Sequence, residues 1–296
     1  MLILDGGTGR QLHRIGAPFG QPEWSALALI EKPDFVLKVH QEFIAAGADI
    51  ITTNTYAIVP YHIGEKRFND DASKLLDLAV KIALSAKTSS NKNVIIAGAV
   101  PPLFGSYAPE RFDSNSAPKM LHLFKEKLVP HCDIIIAETL SCISEIKEFQ
   151  KAFEKCRIPL WLSLTLEDNN KTNNIRLRSG ETLSAAIETI KEKPIDALLF
   201  NCSQPEVMAD AVSIASTLLK HQIQVGVYAN AFPPRNDNTA TSNAELSQIR
   251  SDLTPQKYKS FAREWLARGA SIIGGCCGVG PEHIKALKQL SDHNPQ

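Results

Sequence analysis

Eight short apolar runs recur along this chain with amphipathic stretches between them, and that alternation restricts the fold more than any other feature. The runs cover residues 2–4, 49–53, 94–99, 133–137, 158–164, 195–200, 224–229 and 271–273. They are often β-branched and nearly continuous in apolar character, as strands buried on both faces are. Between them, apolar residues return every three to four positions. Phe35, Val39, Phe43 and Ala46 share one face of a helix expected from Asp34 to Ala46, and Ile143, Ile146, Phe149 and Phe153 share one face of a second. Further helices are expected over 70–86, 116–128, 181–192, 205–220, 255–268 and 281–290. Strand and helix in eightfold alternation is what a closed parallel barrel requires.

The expected fold is therefore α/β, a single (β/α)8 TIM-type barrel forming one domain over residues 1–296, with longer polar loops after strands five and seven. Those loops, Glu167 to Gly180 and Ala231 to Leu253, are rich in Asn, Ser, Thr and Asp and read as loops or small lids. An internal echo supports repetition: residues 42–51, EFIAAGADII, match 264–273, EWLARGASII, each reading as helix, glycine stop, strand. Thr254-Pro255 reads as a helix cap followed by proline in the first turn. A doubly wound sheet is the architectural rival. Gly6-Gly7-Thr8-Gly9 lacks the G-x-G-x-x-G spacing that a dinucleotide fold would show.

Thirty-two basic residues balance thirty-two acidic ones, so no global field favours nucleic acid or an anionic membrane. No apolar run approaches membrane-spanning length, and Asp5 arrives too early for a signal peptide. A cytoplasmic protein with reduced thiols is expected.

Two of the apolar runs lead into cysteine: Asn201 into Cys202, and Gly274-Gly275 into Cys276-Cys277. In a parallel barrel all strands end on one rim, so the sixth and eighth strands would bring these three thiols together. Neighbouring strand residues face opposite ways. Cys276 and Cys277 can therefore hold one ion only where the backbone turns, which the flanking glycines permit. Three thiolates without a nearby histidine favour Zn2+, and three protein ligands leave a fourth position for a reacting group. Cys132, Cys142 and Cys156 lie away from that rim and read as packed thiols.

At the strand ends the chain resembles the homocysteine S-methyltransferase family. The resemblance is carried by Asp5-Gly6-Gly7 at the first strand, Thr52-Thr53-Asn54-Thr55-Tyr56 at the second and Glu138-Thr139 at the fourth. Asn201-Cys202 at the sixth and Gly274-Gly275-Cys276-Cys277-Gly278 at the eighth complete it, in order across nearly the whole chain. It implies a TIM-type barrel whose zinc is held by Cys202, Cys276 and Cys277, with the homocysteine sulfur entering the fourth position as a thiolate and attacking a methyl group in line. It also implies that Asp5 and Glu138 hold the homocysteine ammonium group, with no protein residue needed as a general base. Gly6, Gly7 and Thr8 are expected to meet the amino-acid carboxylate. Asn54, Thr55, Asn201 and Tyr228 are expected to hydrogen-bond substrate at the rim, and Tyr56 and Phe104 are aromatic candidates for enclosing a methyl-bearing cation.

The family's donors include S-methylmethionine, S-adenosylmethionine, betaine and, in a larger modular enzyme, methyl-folate acting through cobalamin. This length leaves no room for cobalamin and folate modules and lacks the betaine branch's C-terminal extension, so S-methylmethionine is the expected donor and S-adenosylmethionine the second. The expected product is L-methionine, with selenohomocysteine an alternative acceptor. Ser203-Gln204-Pro205 and the Ala99 to Gly105 turn depart from the family pattern near the substrate walls. Three rival readings are zinc-assisted hydrolysis, a structural or metal-sensing zinc protein, and disulfide exchange between Cys276 and Cys277. Three anionic sulfurs weaken zinc as a Lewis acid for the first, and adjacent cysteines form a strained bridge in the last.

Overall fold

The computed structural model describes residues 1–168, 174–220, 222–234 and 248–292. Its strands are β1 (Leu2–Ile3), β2 (Ile50–Thr52), β3 (Ile95–Val100), β4 (Ile134–Leu140), β5 (Leu160–Leu164), β6 (Ala197–Asn201), β7 (Gln224–Tyr228) and β8 (Ile272–Ile273). All pair in parallel in the order β1-β8-β7-β6-β5-β4-β3-β2. A further parallel bridge from Leu4 to Ile50 joins β1 to β2 and brings the sheet round on itself. The barrel expected from the eight apolar runs is present.

The repeated helix-glycine-strand motif recurs down to its hydrogen bonds. Gly47 and Gly269 have φ of 109° and 111°, left-handed values that glycine reaches without strain. Gly47 N–H donates to Ile44 O and Ala48 N–H to Phe43 O; Gly269 and Ala270 make the matching bonds to Leu266 and Trp265. Thr254 caps Pro255–Ala267 by accepting from Lys257 N–H at 3.3 Å, as its sequence suggests. Periodicity missed the helices Thr8–Arg14, Ser25–Glu31 and Pro60–Ile63. None completes two turns, so an i, i+3, i+4, i+7 stripe has no room to appear. At the opposite rim from the strand ends, Asp49, Asp133 and Asp196 accept the backbone N–H of Ile3, Ile96 and Leu160, each on the neighbouring strand.

Alternation along the strands positions the site. Ile134 and Ile136 of β4, Ala197 and Leu199 of β6, and Trp161 of β5 fill the barrel interior together with Leu4, Ile50, Ala97, Ala99 and Ile272. Two residues further along the same strands come Glu138, Asn201 and Ser163, so the period of two carries them to the top of that interior. Tyr228 ends β7 in the same layer. The outward-facing residues, such as Ile135, Leu198, Phe200 and Val227, pack under the helices in the larger core.

The two long polar connections are partly described. After β5, Leu166 bridges Leu177 and Arg176 bridges Thr182 in antiparallel pairs. After β7, Phe232 lies at the rim and Arg250 pairs with Glu206 at 2.8 Å. The remainder of the expected lids, residues 169–173 and 235–247, lies outside the described residues. Among those described, no helix is long and apolar enough to cross a membrane.

His40, on the helix Pro33–Ala46, is fully buried, and neither ring nitrogen has a hydrogen-bond partner among the described residues. Burial pushes its pKa down to about 4. Between pH 6.5 and 4 the unfolded chain binds this proton and the folded one does not, so the His40 contribution to stability falls as pH falls through that window. The loss at pH 5 is about 2 kcal/mol, at 1.4 kcal/mol per pH unit. His40→Leu, close in volume and without unpaired polar atoms, is expected to raise the unfolding temperature at pH 7 and more so at pH 5. Equal losses between pH 7 and pH 5 in both proteins would count against the assignment.

Candidate active site and metal centre

The cysteine turn forms where β8 stops. Val279 N–H donates to Cys276 O at 3.0 Å and Gly278 takes a φ of 85°, so the two adjacent cysteines lie on a bend rather than on opposite faces of a strand. Neighbouring rim segments hold the bend from both sides: Cys276 N–H donates to Ala229 O at 2.9 Å, Ala231 N–H to Cys277 O at 2.8 Å, and Gly275 N–H to Asp5 O at 3.0 Å. Close approach explains Gly7. A Cβ there would meet Cys276 O at 2.6 Å.

The sulfurs of Cys202, Cys276 and Cys277 all lie within 4.8 Å of one another. Cys276 and Cys277 Sγ are 4.0 Å apart, while Cys202 and Cys276 Sγ are in direct contact as a disulfide pair with Cα atoms 5.8 Å apart. The donor set fits zinc. Zn–S bonds of about 2.3 Å in a tetrahedron place sulfurs about 3.8 Å apart, a spacing within reach of this cluster once Cys202 and Cys276 are thiolates. Cys132 and Cys142 are buried elsewhere with their pKa values pushed up to about 12 by desolvation, and they remain packing thiols.

The cluster forms part of the wall of a cavity at the strand C-termini, which Asp5, Gly6, Gly7, Thr8, Asn54, Glu138, Asn201 and Tyr228 also line. Asp5 is 3% exposed and accepts from Thr52 N–H at 2.8 Å and from its hydroxyl at 3.1 Å. Burial raises its pKa to about 8, with repulsion from Glu138 adding to the effect and the Thr52 bonds opposing it. Glu138, 9% exposed, is raised to about 7 by burial. Tyr228 is close enough to Glu138 for the two to influence each other's ionisation, yet its buried hydroxyl makes no well-formed hydrogen bond among the described residues. Two desolvated carboxyls and a tyrosine hydroxyl therefore line the same cavity as the three sulfurs.

Some expected contacts are occupied internally. Gly7 N–H already donates to Val279 O at 3.0 Å. Thr55 does not line the cavity: it is fully buried, and its hydroxyl bonds Ala99 O and the Thr53 hydroxyl. The side-chain oxygen of Asn201 accepts from Thr139 N–H at 3.0 Å and Ser163 Oγ at 2.8 Å, and its amide donates to Thr139 Oγ1 at 2.8 Å, which ties β4, β5 and β6 together. Asn54 donates to Ser25 O at 3.1 Å. Phe104 lies outside the cavity and packs edge-on against Phe112, whereas Tyr56 lines it with its hydroxyl 2.6 Å from Ser106 Oγ.

Sequence reasoning missed most of the aromatic wall. Phe19, Trp24, Tyr107 and Phe232 line the cavity with Tyr56 and His62. Phe19 meets Trp24 edge-on at 5.6 Å, and Arg10 lies 5.2 Å from the Phe232 ring centroid and near enough to Cys277 to interact electrostatically. Their signal was weak: aromatic residues inside Pro- and Gly-bearing rim loops such as Gln21-Pro22-Glu23-Trp24 and Gly105-Ser106-Tyr107.

Comparison with known proteins then decides the family. A sequence profile for homocysteine S-methyltransferases matches residues 2–291. The chain belongs to the homocysteine S-methyltransferase family. It is 27% identical to homocysteine S-methyltransferase 1 of Brassica oleracea var. italica, covering 97% of this chain and 92% of that one. Similarity extends to the selenocysteine methyltransferase of Astragalus bisulcatus, at 25% identity over 97% of this chain and 91% of the relative. The crystal structure of the metallated form of the homocysteine methyltransferase MmuM from Escherichia coli shares the fold with a TM-score of 0.75, at 23% identity over 98% of this chain and 96% of that one.

Proposed function

We propose that this family member, acting through residues 1–296 as one barrel domain, transfers a methyl group from a sulfonium donor, S-methylmethionine first, to L-homocysteine to give L-methionine. The observation carrying this reading is the convergence of Cys202, Cys276 and Cys277 on a cavity that two buried carboxyls, Asp5 and Glu138, also line. Cys202, Cys276 and Cys277 would hold Zn2+. When bound, zinc supplies a nucleophilic thiolate at neutral pH by lowering the pKa of a coordinating thiol.

The remaining work falls to the chain. Asp5 and Glu138 receive the homocysteine ammonium group, whose charge restores the ionisation that burial opposes. Tyr228 offers its hydroxyl beside them. The homocysteine sulfur forms a bond to the methyl carbon while the donor's S–CH3 bond breaks and its electron pair stays on the departing, now neutral, sulfur. Thiolate and sulfonium charges cancel, a change favoured in a cavity that excludes water. Phe19, Trp24, Tyr56 and Tyr107 line the cavity with aromatic rings, a side-chain type suited to a sulfonium cation.

A zinc-replete assay with homocysteine and each donor separately tests the reading by following methionine and the demethylated product. The expected result is a kcat/KM with S-methylmethionine about tenfold or more above that with S-adenosylmethionine. Transfer from S-adenosylmethionine alone would overturn the donor assignment, and no transfer from either would overturn the activity. Selenohomocysteine belongs in the same assay as a second acceptor, given the selenocysteine methyltransferase among the relatives.

A further inference from the structure

The polar connection after β5 is expected from sequence to be a loop or lid, but its described ends are fixed against the cysteine cluster. Glu167 N–H donates to Arg176 O at 3.0 Å and Leu166 bridges Leu177, and this antiparallel pairing sets Asp168 beside Arg178. Arg178 Nη2 and Asp168 Oδ2 are 3.0 Å apart, with side chains only 5% and 1% exposed. The other Asp168 oxygen accepts from Gln204 N–H at 3.0 Å, two residues past Cys202. Arg178 Nη2 also reaches Cys202 O at 3.5 Å, and the Thr165 hydroxyl meets the same carbonyl at 3.4 Å. The guanidinium lies over the Tyr107 ring, 5.2 Å from its centroid, and Tyr107 lines the cavity.

Two of the rim residues that Arg178 touches have unusual backbones. Cys202 has a φ of 51° and Tyr107 a φ of 62°. Residues with side chains populate that region sparsely and stay there only where the surroundings hold them. A buried ion pair gives little or no stability over apolar packing of the same volume. Apolar residues, however, could neither donate to Cys202 O nor accept from Gln204 N–H. Arginine suits the position because its planar fork donates in two directions while its face stacks on a ring; lysine cannot do both.

We infer that Asp168 and Arg178 are positioning residues for methyl transfer, clamping the peptide around Cys202 so that its sulfur meets Cys276 and Cys277, and fixing Tyr107 in the cavity wall. This inference rests on the zinc reading above. Removing a residue that orients a metal ligand typically weakens metal binding by about 10–100-fold.

The test measures zinc affinity by chelator competition, the unfolding temperature of the zinc-free protein, and KM and kcat for homocysteine, in wild type, R178Q, R178K and D168N. The expected result is zinc affinity lowered by about 10–100-fold in R178Q and D168N and by about tenfold in R178K, with KM for homocysteine raised in each. R178K keeps a cation opposite Asp168, so it is expected to fold with a zinc-free unfolding temperature near that of wild type and supplies the readout should R178Q fail to fold. Unchanged zinc affinity and KM in R178K and D168N, whatever happens to unfolding temperature, would show a structural brace only and overturn the inference while leaving the zinc reading intact. A wild-type protein that binds no zinc would overturn both.

Discussion

Cys276→Ala is expected to leave the protein folded, without retained zinc and with methyl transfer reduced by at least about two to three orders of magnitude. Cys276 lies between the other two sulfurs: it touches Cys202 and is 4.0 Å from Cys277. Its removal leaves two thiols, which do not make a closed or catalytic zinc site. Metal activation of a nucleophile contributes several kcal/mol to a barrier, and each 1.36 kcal/mol is about tenfold in rate. Cys132→Ala is the matched control. That thiol is buried beside the start of β4, at the barrel end opposite the cavity, and is expected to cost stability alone. Metal content by elemental analysis, with turnover at saturating homocysteine, separates the two variants. Wild-type turnover in zinc-free C276A would sink the metal assignment.

How much of this site could be read beforehand depended on whether a residue's place follows from periodicity or from the path of a loop. The eight apolar runs gave the barrel because parallel strands buried on both faces have few alternatives. The same periodicity places Glu138, Asn201 and Tyr228 at the top of the barrel interior, and a common rim for all strand ends brings Cys202 to the cysteine turn. Loop residues follow no such rule. Tyr107 enters the cavity with a positive φ, Phe104 three residues before it does not, and nothing in their sequence distinguishes them. Residue type also says little about which partners a polar group will choose. Asn201 lines the cavity, yet its amide is largely committed to Thr139 and Ser163, and Thr55 is turned into the protein while its neighbours Asn54 and Tyr56 face the site. The clamp made by Asp168 and Arg178 was equally illegible, because a polar loop sequence gives no hint that two of its charges will be buried together.

The pH dependence of homocysteine binding gives the second large effect. Asp5, raised to about 8, and Glu138, raised to about 7, are increasingly protonated in the ligand-free protein as pH falls through those values. An ammonium group needs them ionised, so binding must expel their protons at lower pH. KM for homocysteine is therefore expected to climb as pH falls below 8, by about tenfold per unit for each proton displaced. Asp5→Asn and Glu138→Gln each remove one proton-linked step and one charge-assisted contact. At pH 8.5 the loss of such a contact, about 1.5–3 kcal/mol, corresponds to a KM raised about 10–150-fold, with kcat changed less. Calorimetry in buffers of different ionisation enthalpy isolates the carboxyl protons, since the homocysteine thiol contributes equally to wild type and variants and cancels in the difference. The same groups act on stability with the opposite sense. A carboxyl whose folded pKa is raised binds its proton more tightly folded than unfolded, so Asp5 and Glu138 add to the stability of the ligand-free protein as pH falls from about 8 toward 4, opposite in sign to His40, and take it away on the way up. Asp5→Asn keeps an oxygen for the Thr52 N–H while removing the buried charge, and is expected to melt higher than wild type above pH 8 even as it binds homocysteine worse. A variant that neither stabilises the free protein nor weakens binding would show that Asp5 does not meet the ammonium group.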